Sequence, residues 1–566
     1  MYQNFEPRTD PKTSAPRLKA LRAQMAEQGL DAFLVPHEDE FLGEYVPACG
    51  ERLKWLTSFD GSAGSAVILA EQAVLFVDGR YILQAPLQTD KACFEIINSQ
   101  ETPPTQWLKD KLPTKDGFVL GFDPRLHSIA QIEKLEKALQ DKNITCQAVD
   151  RNPLDIVWRD RPAPPNYPAI HHPDACAGLA SAEKRANIAA TLKEKSLDAA
   201  LLTQAESIAW LLNIRGRDVP HTPLALSFAL LQQNGDCDWY IEPSRVSASL
   251  LAHIGAGVRV FAPTKIAEHL RAFHKKRVLL DPECAPVWFK TCLAGNFIVG
   301  TDPCLLPKAC KTKAEIDGAK AAHIRDGAAL CRFLCWFESE APKGQLSEIS
   351  AAQKLEAYRD ATGLLRDLSF DTISSTGAHG AIIHYRVTHK TNRAIKAGDI
   401  YLVDSGGQYE DGTTDVTRTV LVDGASPPAG ALAAFTYVLK GHIALACARF
   451  PQGTQGAALD SLARAPLWAA GLDFDHGTGH GVGSYLSVHE GPQRISKNGR
   501  TELQPGMIVS NEPGYYRAGA FGIRIENLQY VTPAEKIEGG ERDMLGFETL
   551  TLAPIDKRLI DEKLLT

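Results

Sequence analysis

Five residues in the last third of the chain have the types and order needed to grip a pair of divalent cations. They are Asp404 and Asp415 in VDSGGQYEDGTTDVTRT, His480 in HGTGHGVG, Glu512 in SNEPG and Glu526 in GIRIENL. Four carboxylates and one imidazole form a hard, oxygen-rich donor set. It suits Mn²⁺, and also Co²⁺, Fe²⁺ or Zn²⁺, in a way that a thiolate-built structural zinc site would not. Two such ions about 3.5 Å apart can hold a hydroxide between them and polarise a neighbouring carbonyl, which is hydrolytic chemistry.

Each residue alone has an ordinary reading. Asp404 closes the apolar run Ile400-Tyr-Leu-Val403, where a carboxylate is costly unless it is paired or metal-bound. Asp415 follows a turn rich in Gly and Asp; a hairpin would return it beside Asp404, and a plain turn residue is the alternative. The glycines around His480 let backbone approach a site closely. A phosphate cradle is the other reading of that string, but no strand–GxGxxG–helix context accompanies it. Glu512 stands where a strand is expected to meet a turn, before Pro513-Gly514. Glu526 alternates with Ile523 and Ile525 and is expected on a strand in apolar surroundings.

The elements that must position these residues are legible in the same stretch. A third domain begins near Pro307, and Thr312-Lys-Ala-Glu315 fits a capping box opening a long helix to about Phe337. Strands are predicted at 400–404, 417–421, 507–509 and 528–531, with helices at 432–448 and 458–470 between them. That mixture reads as α+β. Upstream, Leu18, Leu21 and Met25 recur at helical spacing, Gly29 is a stop signal, and strands are predicted at 32–35, 65–69 and 73–77. Residues 161–168 (RPAPPNYP) form a proline-rich linker. Beyond it RLKALRAQMAEQGLDAFLV is echoed by KRANIAATLKEKSLDAALL, and Trp55-Leu56 by Trp210-Leu211. Tandem homologous α/β domains are the reading; chance likeness of two amphipathic helices is the alternative. The divisions are 1–160, 161–306 and 307–566.

Composition narrows the partners. A chain of 566 residues with 44% hydrophobic and 23% charged residues holds several ordinary cores. A net charge of −7 without a basic tail argues against a nucleic-acid binder. Residues 1–14 carry Glu6 and Asp10 and no apolar run, so a signal peptide is not expected. No stretch is apolar enough to predict a membrane span. The twelve cysteines contain no C-x₂-C pair, the nearest approach being Cys331 and Cys335; free thiols in a reducing cytosol are expected.

Taken together, the motifs resemble the metallopeptidase family with the pita-bread fold, which includes methionine aminopeptidase, prolidase and aminopeptidase P. The order Asp404, Asp415, His480, Glu512, Glu526 matches in full. GAIIHY, DSGGQYEDGTTDVTRT, HGTGHGVGSYLSVHEGP, NEPGYY and AFGIRIEN are similar to the cytosolic three-domain aminopeptidases P, as are FDGSAGSAVIL and FVDGRYILQA near the start. The resemblance implies an α/β and α+β multidomain protein: two tandem creatinase-type N-terminal α/β domains, then a C-terminal pita-bread catalytic domain. It implies cleavage between an N-terminal residue and a following proline, by a hydroxide held between two metals. Asp404 would chelate one ion, Asp415 and Glu526 bridge both, and His480 and Glu512 complete the other. Glu512 would also shuttle a proton. His384 and His489 would contact the peptide and stabilise the oxyanion, His476, Tyr516 and Arg524 would support the pocket, and Arg80 would contact the peptide. Substrates would be Xaa-Pro peptides, with no nucleic-acid or membrane partner, in a cytoplasmic homodimer. The chain departs from its relatives after His384-Tyr385, reading Arg-Val-Thr-His389-Lys where they carry a proline. Prolidase activity is the nearest alternative. A non-enzymatic pita-bread binding protein would have lost several of the five ligands.

Overall fold

The computed structural model describes residues 2–114 and 117–565. It divides into two compact units. One spans Arg8–His171 and Ala180–Cys304; the other takes the chain from Leu305 onward together with the segment up to Pro7 and His172–Leu179.

The first unit holds two α/β domains of one design. Helix Ser14–Glu27 buries Leu18, Leu21 and Met25 on one face, the stripe that helical periodicity requires. Gly29 turns the chain at φ +69°, a backbone state that glycine adopts without strain. The sheet that follows runs Glu95–Asn98, Ala73–Val77, Ser65–Leu69, Ala32–Pro36, Phe118–Phe122, Ile144–Ala148. The second sheet runs Val258–Phe261, Cys237–Tyr240, Phe228–Gln232, Ala199–Leu202, Val278–Leu280, Ile298–Val299. In both, a central antiparallel pair of strand junctions is flanked by parallel ones. The helix preceding Ala199 is Ser181–Glu194. The two sequences therefore share a topology as well as a helix–LDA–strand string, and the repeat is a structural duplication. Ala73–Val77 is buried along its length, as a strand covered on both faces must be.

The second unit is built on antiparallel strands. Ile400–Ser405 lies between Ile373–Thr376 and Val416–Leu421. A five-stranded sheet runs Glu490–Ile495, Gly479–Gly481, Ile508–Asn511, Asn527–Val531, Phe547–Thr549. A two-stranded hairpin pairs Gly514–Arg517 with Phe521–Arg524. Helix Lys313–Glu340 opens with the full capping box of Thr312 and Glu315. Helices Ala431–Ala446 and Gly456–Trp468 complete the layer outside the strands. The first residues are part of this core: Phe5 is buried with Ile349, Ala352, Ile373, Tyr385, Val387 and Leu402. Among the described residues no helix is long and apolar enough to cross a membrane.

Candidate metal centre

The five predicted ligands come to the ends of neighbouring strands. Asp404 occupies the penultimate position of Ile400–Ser405 and pairs across the sheet with Thr417. The intervening chain forms the small hairpin Gly407–Tyr409 with Gly412–Thr413, which returns Asp415 to the start of Val416–Leu421. His480 is the middle residue of Gly479–Gly481. Glu512 directly follows Ile508–Asn511. Glu526 corrects its expected placement: it lies not on a strand but in the break between Phe521–Arg524 and Asn527–Val531. A step between strands lets its side chain turn inward instead of alternating to the outer face.

One ligand atom each from Asp415, His480 and Glu526 lies within 4.8 Å of the other two. His480 Nε2 is 3.5 Å from Asp415 Oδ2 and 3.5 Å from Glu512 Oε1. Its Nδ1 donates to the Gly481 carbonyl at 2.9 Å, which fixes the tautomer that presents the Nε2 lone pair to a cation. Asp404 is tied in by Arg524, whose Nη2 donates to Asp404 Oδ2 at 2.6 Å. The remaining oxygens, Asp404 Oδ1 and Asp415 Oδ1, are buried without a hydrogen-bond partner.

Electrostatics make the same point. Four carboxylates, three of them buried, meet one guanidinium and one imidazole, so full ionisation leaves an excess of negative charge. Burial pushes Asp404 up to about 7 against the pull of Arg524, with Asp415 and Glu512 adding repulsion. Glu526 is raised well above the carboxylate range by burial and by Asp415, Glu512 and Asp404. Glu512 is raised by burial, opposed by His480 and Arg524. Burial would depress His480, yet Asp415 and Glu512 lift its imidazole to about 9. Orphaned oxygens, hard donors and uncompensated charge all fit divalent metal.

Supporting groups hold the donors in place. Arg524 spends every arm: Nε donates to Thr417 Oγ1 at 3.1 Å, Nη1 to the Tyr516 hydroxyl at 2.7 Å, and Nη2 to Asp404. Tyr516 is bonded to His476 Nε2 at 2.8 Å, and His476 Nδ1 stands 3.8 Å from Glu512 Oε2. The His489 ring meets His480 edge-on with centroids 4.3 Å apart. His384 is half-buried after the turn Gly377–Ala381. Arg80 lies in the other unit, where its guanidinium forks onto Asp78 at 3.0 and 2.7 Å and reaches Glu44 at 3.8 Å; the geometry there is that of a structural ion pair.

Three supporting residues escaped sequence reasoning. Thr417 donates its hydroxyl to Glu526 Oε2 at 2.7 Å. Ser510 donates to Glu512 Oε1 at 3.1 Å and accepts from the His480 N–H at 2.9 Å. Arg418 donates to the carbonyls of Thr417 and Glu526 at 2.8 and 2.6 Å. The one usable signal was spacing: Thr417 lies two residues beyond Asp415, and Ser510 two before Glu512, so each shares a strand face with its ligand.

Comparison with known proteins extends these findings. Residues 317–533 match metallopeptidase family M24, and residues 17–152 and 160–315 each match the creatinase/prolidase N-terminal domain. A probable Xaa-Pro aminopeptidase P of Neosartorya fischeri is 39% identical over 97% of this chain and 86% of its own. The crystal structure of X-prolyl aminopeptidase from Caenorhabditis elegans, described as a cytosolic enzyme with a di-nuclear active site, superposes with a TM-score of 0.93 at 34% identity, covering 98% of this chain and 93% of that one. An Xaa-Pro dipeptidase from Bacillus anthracis shares the fold alone, at 23% identity and a TM-score of 0.54; it matches over 99% of its length but only 66% of this chain.

Proposed function

The chain belongs to metallopeptidase family M24, among the Xaa-Pro aminopeptidases that carry two creatinase-type domains before a pita-bread domain, and we propose how its own residues serve that activity. The protein is a hydrolase that releases the N-terminal residue from peptides with proline in second position, using two divalent metal ions. The observation that carries the residue assignment is the cluster of Asp415, His480 and Glu526 within 4.8 Å of one another, with Glu512 3.5 Å from His480 and the buried Oδ1 atoms of Asp404 and Asp415 without a donor.

In this reading Asp404, Asp415, His480, Glu512 and Glu526 hold the ions. Mn²⁺ is the preferred metal, with Co²⁺, Fe²⁺ and Zn²⁺ compatible with the same oxygen-rich set. Bound there, the pair would supply Lewis acidity toward the scissile carbonyl and activate water near neutral pH. The chain's residues do the rest. Burial raises the proton affinity of Glu512, and in this role it takes a proton from the attacking water and passes it to the departing proline nitrogen, which as a bare anion would be a very poor leaving group. Ser510 turns Glu512 Oε1 inward, leaving Oε2 on the His476 side. His384 and His489 donate to the carbonyl oxygen as it gains charge, a contact commonly worth about 3 kcal/mol. The Arg524–Tyr516–His476 chain keeps Asp404 and Glu512 in register. Arg80 is assigned a peptide contact on the likeness of its DGR string. Proline lacks an N–H and has a fixed φ, so the site must accept a ring where ordinary peptidases grip an amide.

We also assign residues 1–160 and 161–306 to the creatinase-type domains and 307–566 to catalysis, and take the protein as a cytoplasmic homodimer. The cytosolic description of the C. elegans enzyme supports the location; light scattering at twice the chain mass would establish the dimer. The activity is tested with Mn²⁺-supplemented protein on Arg-Pro-Pro and Arg-Pro. Release of arginine from the tripeptide is expected to dominate. Turnover of the dipeptide alone would return the prolidase reading.

A further inference from the structure

His384 sits at the end of a loop with little regular structure of its own, yet that loop is anchored at both ends by one buried side chain. Glu348 is the first residue of helix Glu348–Asp360, and its carboxylate has no exposure to solvent. Oε1 accepts from the Thr376 N–H at 2.8 Å and from His379 Nδ1 at 2.9 Å. Oε2 accepts from the Tyr385 hydroxyl at 3.0 Å and the Arg393 N–H at 3.0 Å. The His379 ring stacks on Tyr385 with centroids 4.6 Å apart. Four donors before, within and after the segment 377–384 therefore converge on two oxygens. The same loop lies on the metal-site strand: a Cβ at Gly522 would strike the carbonyl of Gly380, and Gly522 belongs to Phe521–Arg524, whose last residue binds Asp404.

We propose that Glu348 is a positioning residue for His384: it clamps the loop 377–385 through the backbone of Thr376 and Arg393 and the side chains of His379 and Tyr385, so that His384 is presented to the substrate in one conformation. A buried carboxylate accepts four hydrogen bonds without competing for solvent, which suits it to hold a segment with no ladder of its own. The proposal rests on the substrate-facing role assigned to His384 above.

The test is a double-mutant cycle on Mn²⁺-saturated enzyme with Arg-Pro-Pro. Glu348→Gln replaces one acceptor oxygen by an amide that cannot serve two donors, and it is expected to lower kcat/KM about 10- to 100-fold, chiefly in kcat, as a misplaced reacting group does. The Mn²⁺ dissociation constant, read by calorimetry, is expected to stay within about two-fold of the parent. In a His384→Ala background the same change should cost no more than about two-fold, because residues acting as one unit are non-additive. Tyr385→Phe removes a single donor, should lose less in the same direction, and carries the cycle if Glu348→Gln does not fold. Parental kcat/KM in the Glu348 and Tyr385 variants, or an equal loss in both backgrounds, would overturn the proposal. Parental activity in His384→Ala alone would instead remove the role of His384 on which it depends.

Discussion

Arg524 and Asp415 are the residues on which the site turns. Arg524 is the fixed cation of the acidic cluster and reaches Asp404, Tyr516 and Thr417 with three separate nitrogens. Lysine keeps the charge but cannot make three diverging contacts. Arg524→Lys is therefore expected to weaken Mn²⁺ binding and lower kcat/KM by about 10- to 100-fold each, measured by calorimetry and steady-state kinetics; a change in neither would dissociate Arg524 from the site. Asp415→Asn removes charge at a spot with no packing to lose. Turnover should vanish at saturating Mn²⁺ while the circular-dichroism spectrum and melting profile stay near those of the parent, and near-normal activity would reject Asp415 as a ligand. The five candidate ligands were legible because each stands beside a glycine or a strand end and keeps a fixed order. Thr417, Ser510 and Glu348 were not: hydroxyls within strands and an acidic residue at a helix start are common, and only the fold shows what they face.

At the scale of elements, duplication and the catalytic strands follow from hydrophobic period and turn signals. The repeated helix–LDA–strand string marks two sheets of identical order, because in each it leads into a central, buried strand, Ala32–Pro36 or Ala199–Leu202. The segment 2–7 could not be placed from sequence. It has no periodicity, and it precedes an α/β domain, yet it docks on the other unit: the Tyr2 and Gln3 N–H groups bond to Glu356 at 2.8 and 3.2 Å, and the His389 N–H to the Phe5 carbonyl at 2.8 Å. Phe5→Ala should accordingly destabilise the C-terminal unit by about 3 kcal/mol, the cost of emptying an aromatic core position. Hydrogen exchange would report it as lost protection in Glu348–Asp360 and Ile373–Thr376; unchanged protection there would refute the docking. Where the family resemblance leads to the expectation of a proline after His384-Tyr385, the chain braces the loop with Arg386, which bonds to Asp371 at 2.8 Å and to the Glu6 and Asn4 carbonyls at 3.1 and 2.6 Å.

For the whole molecule, stability and activity draw on different titrations. His127, in the first α/β domain, is buried against Phe122 with Nε2 unpartnered, and burial pushes its imidazole down to about 4. The unfolded chain, at an ordinary 6.5, binds the proton more readily. Stability from this group is thus complete above pH 6.5 and is lost as pH falls from 6.5 toward 4, to a total of about 3 kcal/mol. Denaturant unfolding of the parent and of His127→Leu should differ in slope against pH in that window and run parallel above it. Parallel curves throughout would mean that His127 is charged or solvated in the folded state. That the segment up to Pro7 and His172–Leu179 join the unit beginning at Leu305 was not visible in the sequence, because helical and strand periods report local burial and carry no information on which distant segments share a core.

The central claim is that Asp404, Asp415, His480, Glu512 and Glu526 hold a pair of divalent ions. Anomalous scattering from crystals grown with Mn²⁺ tests it most directly. Two peaks enclosed by these five side chains, and absent in Asp415→Asn, are the result expected. A map with no peak there, with the carboxylates turned apart, would contradict the account.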